Sequence, residues 1–583
     1  MAETERQTAP EKTRSERRRL HRRVPQAAGL LAMATGLLDI VGGISPEWHH
    51  RMLDVSEVVP GALTNVARTA TVITGMLFLL LSHALRRRKK RAWQAAVVLL
   101  AASIVLHVVK NLAVGEAVIS ALLLAALLRY RREFYALGDP RTRWRALYAG
   151  AVLTAGSFVV GFLFLGFNSR EVEASYGVFE QFQHIAMGLI GIHGPIQLET
   201  GRRDDLFSLI LGGLGLFIGL AVVYLFLRPA EPLLALSDED EEKIRALLVK
   251  QGARDSLGYF SLRRDKSVIW SPTGKACVTY RVVSGVMLAG GDPLGDPEAW
   301  PGAIQAFVDE ADKHAWVPAV MGCSELAAEV WVREAGLDAL ELGDEAIVEL
   351  SEFSLDGRQM RNVRQMVNRV ARQGYKVEFK RERDYTPEEL ADLWSQADAW
   401  RGTDTERGFS MALGRVGEAG DGDCAIATAI KDGELHAFLH FVPWGADGLS
   451  LDLMRRDRAA QPGLNDFMIV EAIKLAPELD VKRLSLNFAV FRAVFERGER
   501  VGAGPVLKAW RGLLVFLSRW FQLESLYKFN AKFQPTWKPR FFVYPSLNDA
   551  PRIALAALEA EAFIVWPRLR LPGMVRPRRI PRR

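Results

Sequence analysis

Apolar residues are concentrated in six long runs before Pro229, and charged residues lie mostly between these runs and after them. The runs occupy about 27–44, 66–85, 93–109, 112–128, 146–167 and 207–227. Each is near the ~20 residues that a helix needs to cross the hydrocarbon of a bilayer. The pattern therefore predicts an all-α membrane domain of about six transmembrane helices.

Basic residues alternate between the segments that connect these runs. The N-terminal tail carries eight Lys or Arg, and the connections 86–91 and 129–145 carry six each. The intervening connections carry few. Because cytoplasmic loops hold the excess of Lys and Arg, the N-terminus and everything after the sixth run are predicted to be cytoplasmic. The apolar stretch 180–198, interrupted by two His and a Pro, is predicted to lie at the membrane interface, with a re-entrant loop as the alternative.

Strand and helix patterns alternate after the membrane part. A sequence of strands and helices in the first part of this region recurs in similar order in the second, which predicts an α/β (α+β) region of two similar halves. The predicted organisation is a basic tail 1–26, a membrane domain 27–227, a linker 228–236, halves at 237–355 and 356–545, and a basic C-terminal tail 546–583.

The composition changes this picture little. A formal net charge of +7 favours anionic partners such as nucleic acid or acidic lipid, although basic loops beside the spans explain part of it. Cys277, Cys323 and Cys424 are far apart and form no CxxC pattern, which predicts buried thiols rather than disulfides or zinc ligands. His436 and His440 have a metal-like spacing, but on a predicted strand they lie ~13 Å apart. No metal and no cofactor are predicted.

Two predicted strands share one layout of polar and apolar residues. In LSLDL, Ser450 and Asp452 lie on the face opposite the leucines, and in LSLNF Ser485 and Asn487 do the same. A helix of about a dozen residues connects the strands, so they are predicted to be parallel and adjacent or nearly so. Their polar faces would then form one column at the carboxyl edge of the sheet, where α/β sheets bind ligands.

Asp452 is the strongest candidate for chemistry. An Asp within an apolar strand costs free energy unless it is paired or functional. Arg455, just beyond it, is the obvious partner or co-ligand. A structural Asp–Arg pair is one interpretation, and an acid that binds a cationic group of a ligand is the one we favour.

Cations and aromatic residues alternate in YKFNAKFQPTWKPRFF, residues 527–542. Lys528, Lys532, Lys538 and Arg540 would suit phosphate contact with stacking, on RNA ends or lipid headgroups. A solvated surface with a buried aromatic edge is the alternative. The basic helix predicted at 361–376 is likewise either a phosphate-binding face or a solvated one. GGDPLGDP (290–297) lacks the GK[ST] ending of a phosphate loop and is predicted to be a turn into a helix.

The segments GGDPLGD, MRNVRQMVNR, ERGFSM, SLDLMR and YKFNAKFQPTWKPRFF, in this order, resemble the catalytic domain of aminoacyl-phosphatidylglycerol synthases of the multiple-peptide-resistance-factor type. The resemblance covers about 237–545. It implies two tandem GNAT-like acyltransferase folds that transfer an aminoacyl group from charged tRNA to phosphatidylglycerol at the inner leaflet. The membrane part is shorter than in long family members, which leaves open whether the product is flipped.

The resemblance also implies site residues. Asp452 and Arg455 match functional positions of the family, Lys532 and Arg540 match its basic aromatic motif, and Glu406 of ERGFS is a further candidate. The predicted catalytic residues are Asp452 and Arg455. The predicted substrate-binding residues are Glu406, Asn487, Lys528, Lys532 and Arg540.

The implied activity is a phosphatidylglycerol lysyltransferase at the plasma membrane, with alanyl transfer as the main rival. Its expected partners are aminoacyl-tRNA supplied by another protein, phosphatidylglycerol in the anionic inner leaflet, and a second copy of the chain through the membrane domain. Transfer from one ester to another hydroxyl needs no ATP. A lipid flippase or transporter with a regulatory soluble domain, and an acyltransferase with another donor, are the competing hypotheses.

Overall fold

The described parts of all six apolar runs lie in helices of the computed structural model. It describes residues 9–44, 61–109, 114–136, 140–167, 176–192, 194–196, 201–227, 236–402, 408–490 and 523–565. Two compact units emerge, one mainly from Met1–Glu231 and the other mainly from Pro232–Arg583. The first unit consists of α1 (Ala9–Ile44), α2 (Gly61–Arg86), α3 (Lys90–Val109), α4 (Val114–Arg129), α5 (Pro140–Phe167), α6 (Val178–Leu189) and α7 (Gly201–Leu227).

Within the described residues, three helices are long and apolar enough to cross a membrane, at Val24–Val41, Ala146–Phe167 and Leu206–Phe226. The apolar parts of α2 and α4, Val72–Arg86 and Val118–Arg129, are shorter. Many large apolar side chains of these helices are exposed, as lipid-facing residues would be. A helical region with membrane-type helices is therefore confirmed, and the count of six spans stays a prediction.

Helices α1 and α2 approach closely at two glycines. A Cβ atom on Gly36 would lie 2.6 Å from the carbonyl oxygen of Gly75, and one on Gly75 would lie 2.6 Å from that of Gly36. Small residues allow helices to pack backbone to backbone in a membrane, where burial of apolar surface does not drive association. Substituting either glycine by a larger residue would force the two helices apart.

The second unit is a mixed α/β structure. Its strands are β1 (Ser267–Trp270), β2 (Ala276–Val283), β3 (Val286–Gly290), β4 (Leu294–Gly295), β5 (Val317–Cys323), β6 (Asp338–Glu349), β7 (Lys376–Arg381), β8 (Ala425–Lys431), β9 (Glu434–Trp444), β10 (Gly448–Arg456), β11 (Arg483–Val490) and β12 (Thr536–Tyr544). Its helices are α8 (Asp238–Gln251), α9 (Trp300–His314), α10 (Glu325–Ala335), α11 (Arg361–Ala371), α12 (Pro387–Ala399), α13 (Leu464–Leu475), α14 (Leu523–Ala531) and α15 (Ala550–Ala560). Ser237 is the N-cap of α8 and Thr386 is the N-cap of α12, each accepting a backbone N–H of the first turn.

All twelve strands belong to one sheet of order β1-β2-β3-β5-β12-β6-β11-β10-β9-β8-β7, with β4 beside β2. Strand β12, from the end of the second predicted half, lies between β5 and β6 of the first. Strand β6 in turn pairs with β11 of the second half. The halves therefore exchange strands within one sheet, and the division at residue 355 stays a prediction.

Strands β10 and β11 are parallel and hydrogen-bonded neighbours, as their matching patterns predicted. The connecting helix α13 packs with α11 on one face of the sheet, against the apolar side chains Leu449, Leu451 and Leu484. Burial of this face leaves the polar residues of β10 on the other side. That side carries the candidate site.

Candidate active site

A β-bulge interrupts β10 at Asp452. Leu451 pairs with Phe441 and Leu453 pairs with His440, so Asp452 is the extra residue of the strand. A bulge redirects a side chain from the regular alternation. Here the Asp452 carboxylate, whose side chain is wholly buried, reaches the ring of His440.

The imidazole of His440 lies between two carboxylates. Its Nδ1 is 2.6 Å from Oδ2 of Asp452, and its Nε2 is 2.7 Å from Oε1 of Glu382. Glu382, just after β7, also accepts the backbone N–H of Gly417 at 2.9 Å. Burial opposes charge on the ring, but hydrogen bonds to Asp452, Cys424 and Glu382 outweigh it and raise the pKa of His440 well above its usual range. With the ring protonated and both carboxylates ionised, the three groups together would carry one net negative charge.

Three residues at this site are of types that can bind a metal ion. One ligand atom each from Glu382, Cys424 and His440 lies within 4.8 Å of the others. However, the 2.7 Å contact between His440 and Glu382 is a direct hydrogen bond. Two ligands of one tetrahedral zinc ion, each about 2.1 Å from the metal, lie about 3.4 Å apart. The geometry is therefore that of a hydrogen-bonded chain, into which a metal ion would fit only if the side chains separated.

The second oxygen of Asp452 holds a loop. Oδ1 accepts the backbone N–H of Leu413 at 2.7 Å. Leu413 ends the buried segment Gly408–Leu413, hereafter the 408–413 loop, which contains the FSM part of the ERGFSM motif. Glu406 of that motif lies outside the described residues. Both oxygens of Asp452 are thus engaged within the protein, and the chain Glu382–His440–Asp452 continues into the 408–413 loop.

Arg455 lies on the same strand with different neighbours. Its Nη1 donates to the carbonyl oxygen of Ala397 at 3.1 Å and lies 3.4 Å from Asp398. The guanidinium also stacks over Trp394, 5.4 Å from the ring centroid. The main partner of Asp452 is therefore His440, whereas Arg455 is fixed against helix α12.

Asn487 closes the polar column on β11. Ser450 Oγ lies 3.4 Å from Asn487 Oδ1, and the Asn487 amide donates to the carbonyl oxygen of Leu451. Asn487 has a φ of +65°, at an irregularity in the pairing of β11 with β6. Asn tolerates this left-handed backbone better than most residues. The predicted contact between the two polar faces exists, and Asn487 fixes the backbone just before Asp452.

Arg540 occupies a different, fully buried cluster. Its guanidinium donates to Asp255 at 2.7 Å, to Glu345 at 3.0 and 2.5 Å, and to Ser256 at 2.8 Å. Glu345 lies on β6 and Arg540 on β12, so the cluster joins the two strands that exchange between halves. All of these hydrogen bonds of Arg540 are to other residues of the chain, and Arg540 is only 4% exposed.

Asp292 of the GGDP turn extends this cluster. Its carboxylate accepts the backbone N–H of Ser324 at 2.7 Å and the Ser324 hydroxyl at 2.6 Å. Burial, followed by the nearby charge of Asp255, raises the pKa of Asp292 to about 7. The motif is thus a turn, as predicted, and its acid holds Ser324, which is the N-cap of helix α10.

The raised pKa of Asp292 predicts how the stability of the protein depends on pH. Because the folded pKa lies above the unfolded value, the contribution of this group to stability is present at low pH and is lost as pH rises from about 4 through about 7. Asp292→Asn should therefore be more stable than wild type at pH 8, by a few kcal/mol at most, since one pKa unit is about 1.4 kcal/mol. Thermal unfolding of both proteins at pH 5 and pH 8 measures this; a difference that does not change with pH would contradict it.

The basic aromatic segment is divided between surface and core. Lys528, Lys532 and Lys538 are exposed, whereas Phe533 is buried. Lys532 donates to Asp466 at 2.7 Å, at the first turn of α13. Lys532 and Arg540, which the sequence grouped together, therefore lie in separate environments, and their binding roles stay predictions.

His440 and Glu382, the central residues of the site, were not predicted from the sequence. His440 was considered only as a metal ligand with His436, and Glu382 was not singled out. The available signal was the pattern of β9, HAFLHF, in which one His falls among wholly apolar residues of a buried strand. Such a His needs partners, and the nearest acid on the paired strand β10 is Asp452.

The fold and site define a membrane-linked protein with a mixed α/β domain, and comparison with known proteins identifies its family. A sequence profile described as phosphatidylglycerol lysyltransferase, C-terminal, matches residues 245–544. A profile described as the transmembrane region of lysyl-tRNA synthetase matches residues 20–168. Since the first match covers more than half of the chain, the chain belongs to the phosphatidylglycerol lysyltransferase C-terminal family. The resemblance inferred from the five motifs is confirmed.

Two relatives share the name lysylphosphatidylglycerol biosynthesis bifunctional protein LysX. The protein of Rhodococcus opacus (strain B4) is 41% identical over 566 residues, which are 95% of this chain and 50% of the relative. That of Mycobacterium avium (strain 104) is 42% identical over 576 residues, 94% of this chain and 47% of the relative. The chain thus spans about half the length of the curated relatives it matches.

Solved structures of similar domains exist. A crystal structure described as the C-terminal domain of a lysylphosphatidylglycerol synthetase from Agrobacterium fabrum is 26% identical, covers 56% of this chain and 98% of that chain, and gives a TM-score of 0.46. The structure of L-PGS from Bacillus licheniformis is 24% identical, covers 55% of this chain and 96% of that chain, and gives a TM-score of 0.47.

Proposed function

We propose that this protein transfers a lysyl group from lysyl-tRNA to a hydroxyl of phosphatidylglycerol in the cytoplasmic leaflet. The observation that carries the proposal is the family match over residues 245–544, a segment that contains the whole Glu382–His440–Asp452 chain. The names of the relatives favour lysine over alanine. The product would replace an anionic headgroup by a cationic one and lower the attraction of the membrane for cationic peptides.

The reaction requires little of the protein beyond placing the donor ester and the acceptor hydroxyl next to each other. The donor is an activated ester and the acceptor a hydroxyl, so the reaction needs alignment, removal of a proton and stabilisation of an oxyanion. The lysyl group carries two ammonium charges. The net negative charge of the Glu382–His440–Asp452 chain, held in a water-excluded region, would attract such a group through space. Asp452 supplies the carboxylate of that chain on β10.

A basic face on α11 supports a polyanionic donor. Val363, Val367 and Val370 bury one side of the helix, and Arg361 and Arg369 are exposed on the other. The five arginines between 358 and 372 have no carboxylate within 4.0 Å in the part of the chain that the structure describes. The exposed neighbours are Asn and Gln rather than apolar residues, which suits RNA phosphates and sugars more than insertion into lipid.

The α11 face should therefore bind RNA. Exchanging Arg361 and Arg369 together for Gln should weaken binding of lysyl-tRNA and lower the slope of log affinity against log salt by about one to two, because phosphate contacts are removed. Filter binding at several salt concentrations measures this. If only binding to phosphatidylglycerol vesicles weakens, the face contacts the membrane instead.

The proposed topology has six spans and a cytoplasmic α/β domain. The supporting observation is the alternation of basic connections, together with three helices of spanning length and composition. The connection 168–175 would then be extracellular. Ala174→Cys should react with an impermeant thiol reagent in intact cells, whereas Lys90→Cys, at an exposed position, should react only after lysis. Background labelling should be low because Cys277, Cys323 and Cys424 are all buried.

Lipid analysis tests the function directly. Cells that make phosphatidylglycerol but no lysylated form should accumulate lysyl-phosphatidylglycerol when they express this chain, as shown by mass spectrometry. Membranes from those cells should lose the activity on ribonuclease treatment. Activity that survives ribonuclease would favour an acyltransferase with another donor, and lipid translocation without new lipid would favour a flippase.

We further propose that the two halves of the α/β unit are tandem GNAT-like folds. We also propose that the membrane domains of two copies associate, which crosslinking in membranes would test.

A further inference from the structure

The Glu561 carboxylate holds Phe409 and Ser410 of the 408–413 loop, and Arg263 donates to the carbonyl oxygen of Gly408 just before them. Glu561 accepts the backbone N–H of Phe409 at 2.7 Å, the backbone N–H of Ser410 at 3.1 Å and the Ser410 hydroxyl at 2.7 Å. Glu561 is 9% exposed, so these three donors are satisfied by the protein rather than by water. A carboxylate that accepts several hydrogen bonds in a buried setting fixes its donors strongly.

The other end of the loop is attached to the candidate site. The Leu413 N–H donates to Asp452 at 2.7 Å, and Arg263 donates to the carbonyl oxygen of Ala412 at 2.9 Å. The loop therefore runs, within five residues, from the carboxylate of Glu561 to the carboxylate of Asp452. Any movement of its first residues is transmitted over a short, buried segment to the hydrogen bond at Asp452.

Glu561 follows helix α15, which packs against the sheet in an apolar cluster that also contains Phe409 of the loop. Ile553, Ala556 and Ala560 of this helix are buried in the cluster formed by β2, β3 and β5. Glu559, two residues before Glu561, makes a second contact, in which the Ser284 hydroxyl donates to its carboxylate at 2.8 Å. Helix α15 lies beyond the segment that the family profile matches, which ends at residue 544.

We propose that Glu561 is a positioning residue of the active site, through which the C-terminal helix α15 sets the 408–413 loop and thereby the orientation of Asp452 and His440. The kinetic test of this inference rests on the proposed function, whereas its structural test by hydrogen exchange rests on the geometry alone. It assigns a role in the site to a segment outside the matched catalytic region.

The physical cost of losing Glu561 is specific. In Glu561→Gln, the amide nitrogen would face at least one of the backbone N–H groups, so a donor would be left without an acceptor in a buried place. The loop would shift to relieve this, and the Leu413 N–H would move with it. Misplacement of a site by about 1 Å costs about 100-fold in rate. Substrate affinity would change little, because Glu561 itself contacts only the loop in the described structure.

Three full-length variants in membranes test the proposal. Glu561→Gln should lower kcat for lysyl transfer about 10–100-fold and leave KM for lysyl-tRNA and for the lipid unchanged. Glu559→Gln, on the same helix but bonded to Ser284, should keep wild-type kcat. Glu561→Gln combined with Asp452→Asn should be no slower than Asp452→Asn alone, since Glu561 acts on the reaction only through Asp452. Multiplying effects, or an equal loss in Glu559→Gln, would overturn the proposal.

Hydrogen exchange separates this inference from the function. Peptides that contain residues 409–413 should exchange faster in Glu561→Gln than in wild type or Glu559→Gln, while peptides of β10 away from Asp452 stay unchanged. Unchanged exchange in the loop would overturn the inference whatever the activity. Faster exchange in the loop, in a wild-type protein that makes no lysylated lipid, would uphold the coupling and reject only the proposed function.

Discussion

Asp452→Asn should lower lysyl transfer by roughly two to three and a half decades, the largest loss expected for any single substitution in the site. The variant loses the carboxylate that faces His440 at 2.6 Å and Leu413 at 2.7 Å, and the new amide N–H must face one of these donors. The rate falls because Asn cannot supply the charge that pairs with an ammonium group of the lysyl donor; losing a partly buried ion pair of this kind costs about 3–5 kcal/mol, and each 1.4 kcal/mol of transition-state stabilisation is about a decade in rate. Turnover with radiolabelled lysyl-tRNA measures the loss.

Glu382→Gln is the matched control. It removes the other carboxylate of the same imidazole, at 2.7 Å, but leaves Asp452 and its bond to the 408–413 loop in place. Both variants should lower the melting temperature of the detergent-purified chain by similar amounts, whereas Glu382→Gln should lose only about tenfold in rate per folded molecule. Equal losses of rate would mean that Asp452 acts only as an anchor of His440.

Arg540→Met should cause the largest loss of stability. Its guanidinium neutralises Asp255 at 2.7 Å and Glu345 at 2.5 Å, and all three side chains are buried. Without it, two buried carboxylates repel each other, which should cost about 3–5 kcal/mol of unfolding free energy. Lowering the pH should restore part of this, because the carboxylates can then take up protons. Unfolding followed by tryptophan fluorescence at pH 5 and pH 8 measures both effects.

Arg264→Met is the comparison for this prediction. Arg264 pairs with Glu418 at 2.9 Å, but both side chains are about 40% exposed. Exposed pairs contribute about 0–1 kcal/mol, so this variant should unfold almost as wild type does. A stable Arg540→Met with weakened binding of lysyl-tRNA or phosphatidylglycerol would instead uphold the substrate-binding role predicted for Arg540 from the motif.

Local patterns predicted much of the α/β unit. The parallel pairing of β10 and β11 follows from two matching strands and one connecting helix, and the cap at Thr386 follows from its neighbours. The contact between the Ser450 and Asn487 side chains follows from the same alternation. Each of these features depends on residues close in the chain or on a single short connection.

The site itself depends on contacts that no local pattern contains. The partner of Asp452 was expected at Arg455, three residues away, but the bulge in β10 turns the carboxylate to His440 on β9. Glu382, 58 residues before His440, completes the chain. Alternation of side chains cannot predict a bulge, because one inserted residue changes the face on which every later side chain lies.

Strand β12 has a consequence for how the chain is made. Phe541 pairs with Cys323, and the neighbouring residues of β12 pair with β6, so the middle of the sheet stays open until residue 544 has left the ribosome. Until then the nascent chain carries unpaired edges on β5 and β6, which can associate with other chains. Contacts between residues so far apart in sequence also form slowly. If translation stops or the chain is truncated before β12, strands β5 and β6, synthesised about two hundred residues earlier, keep unpaired edges and can aggregate.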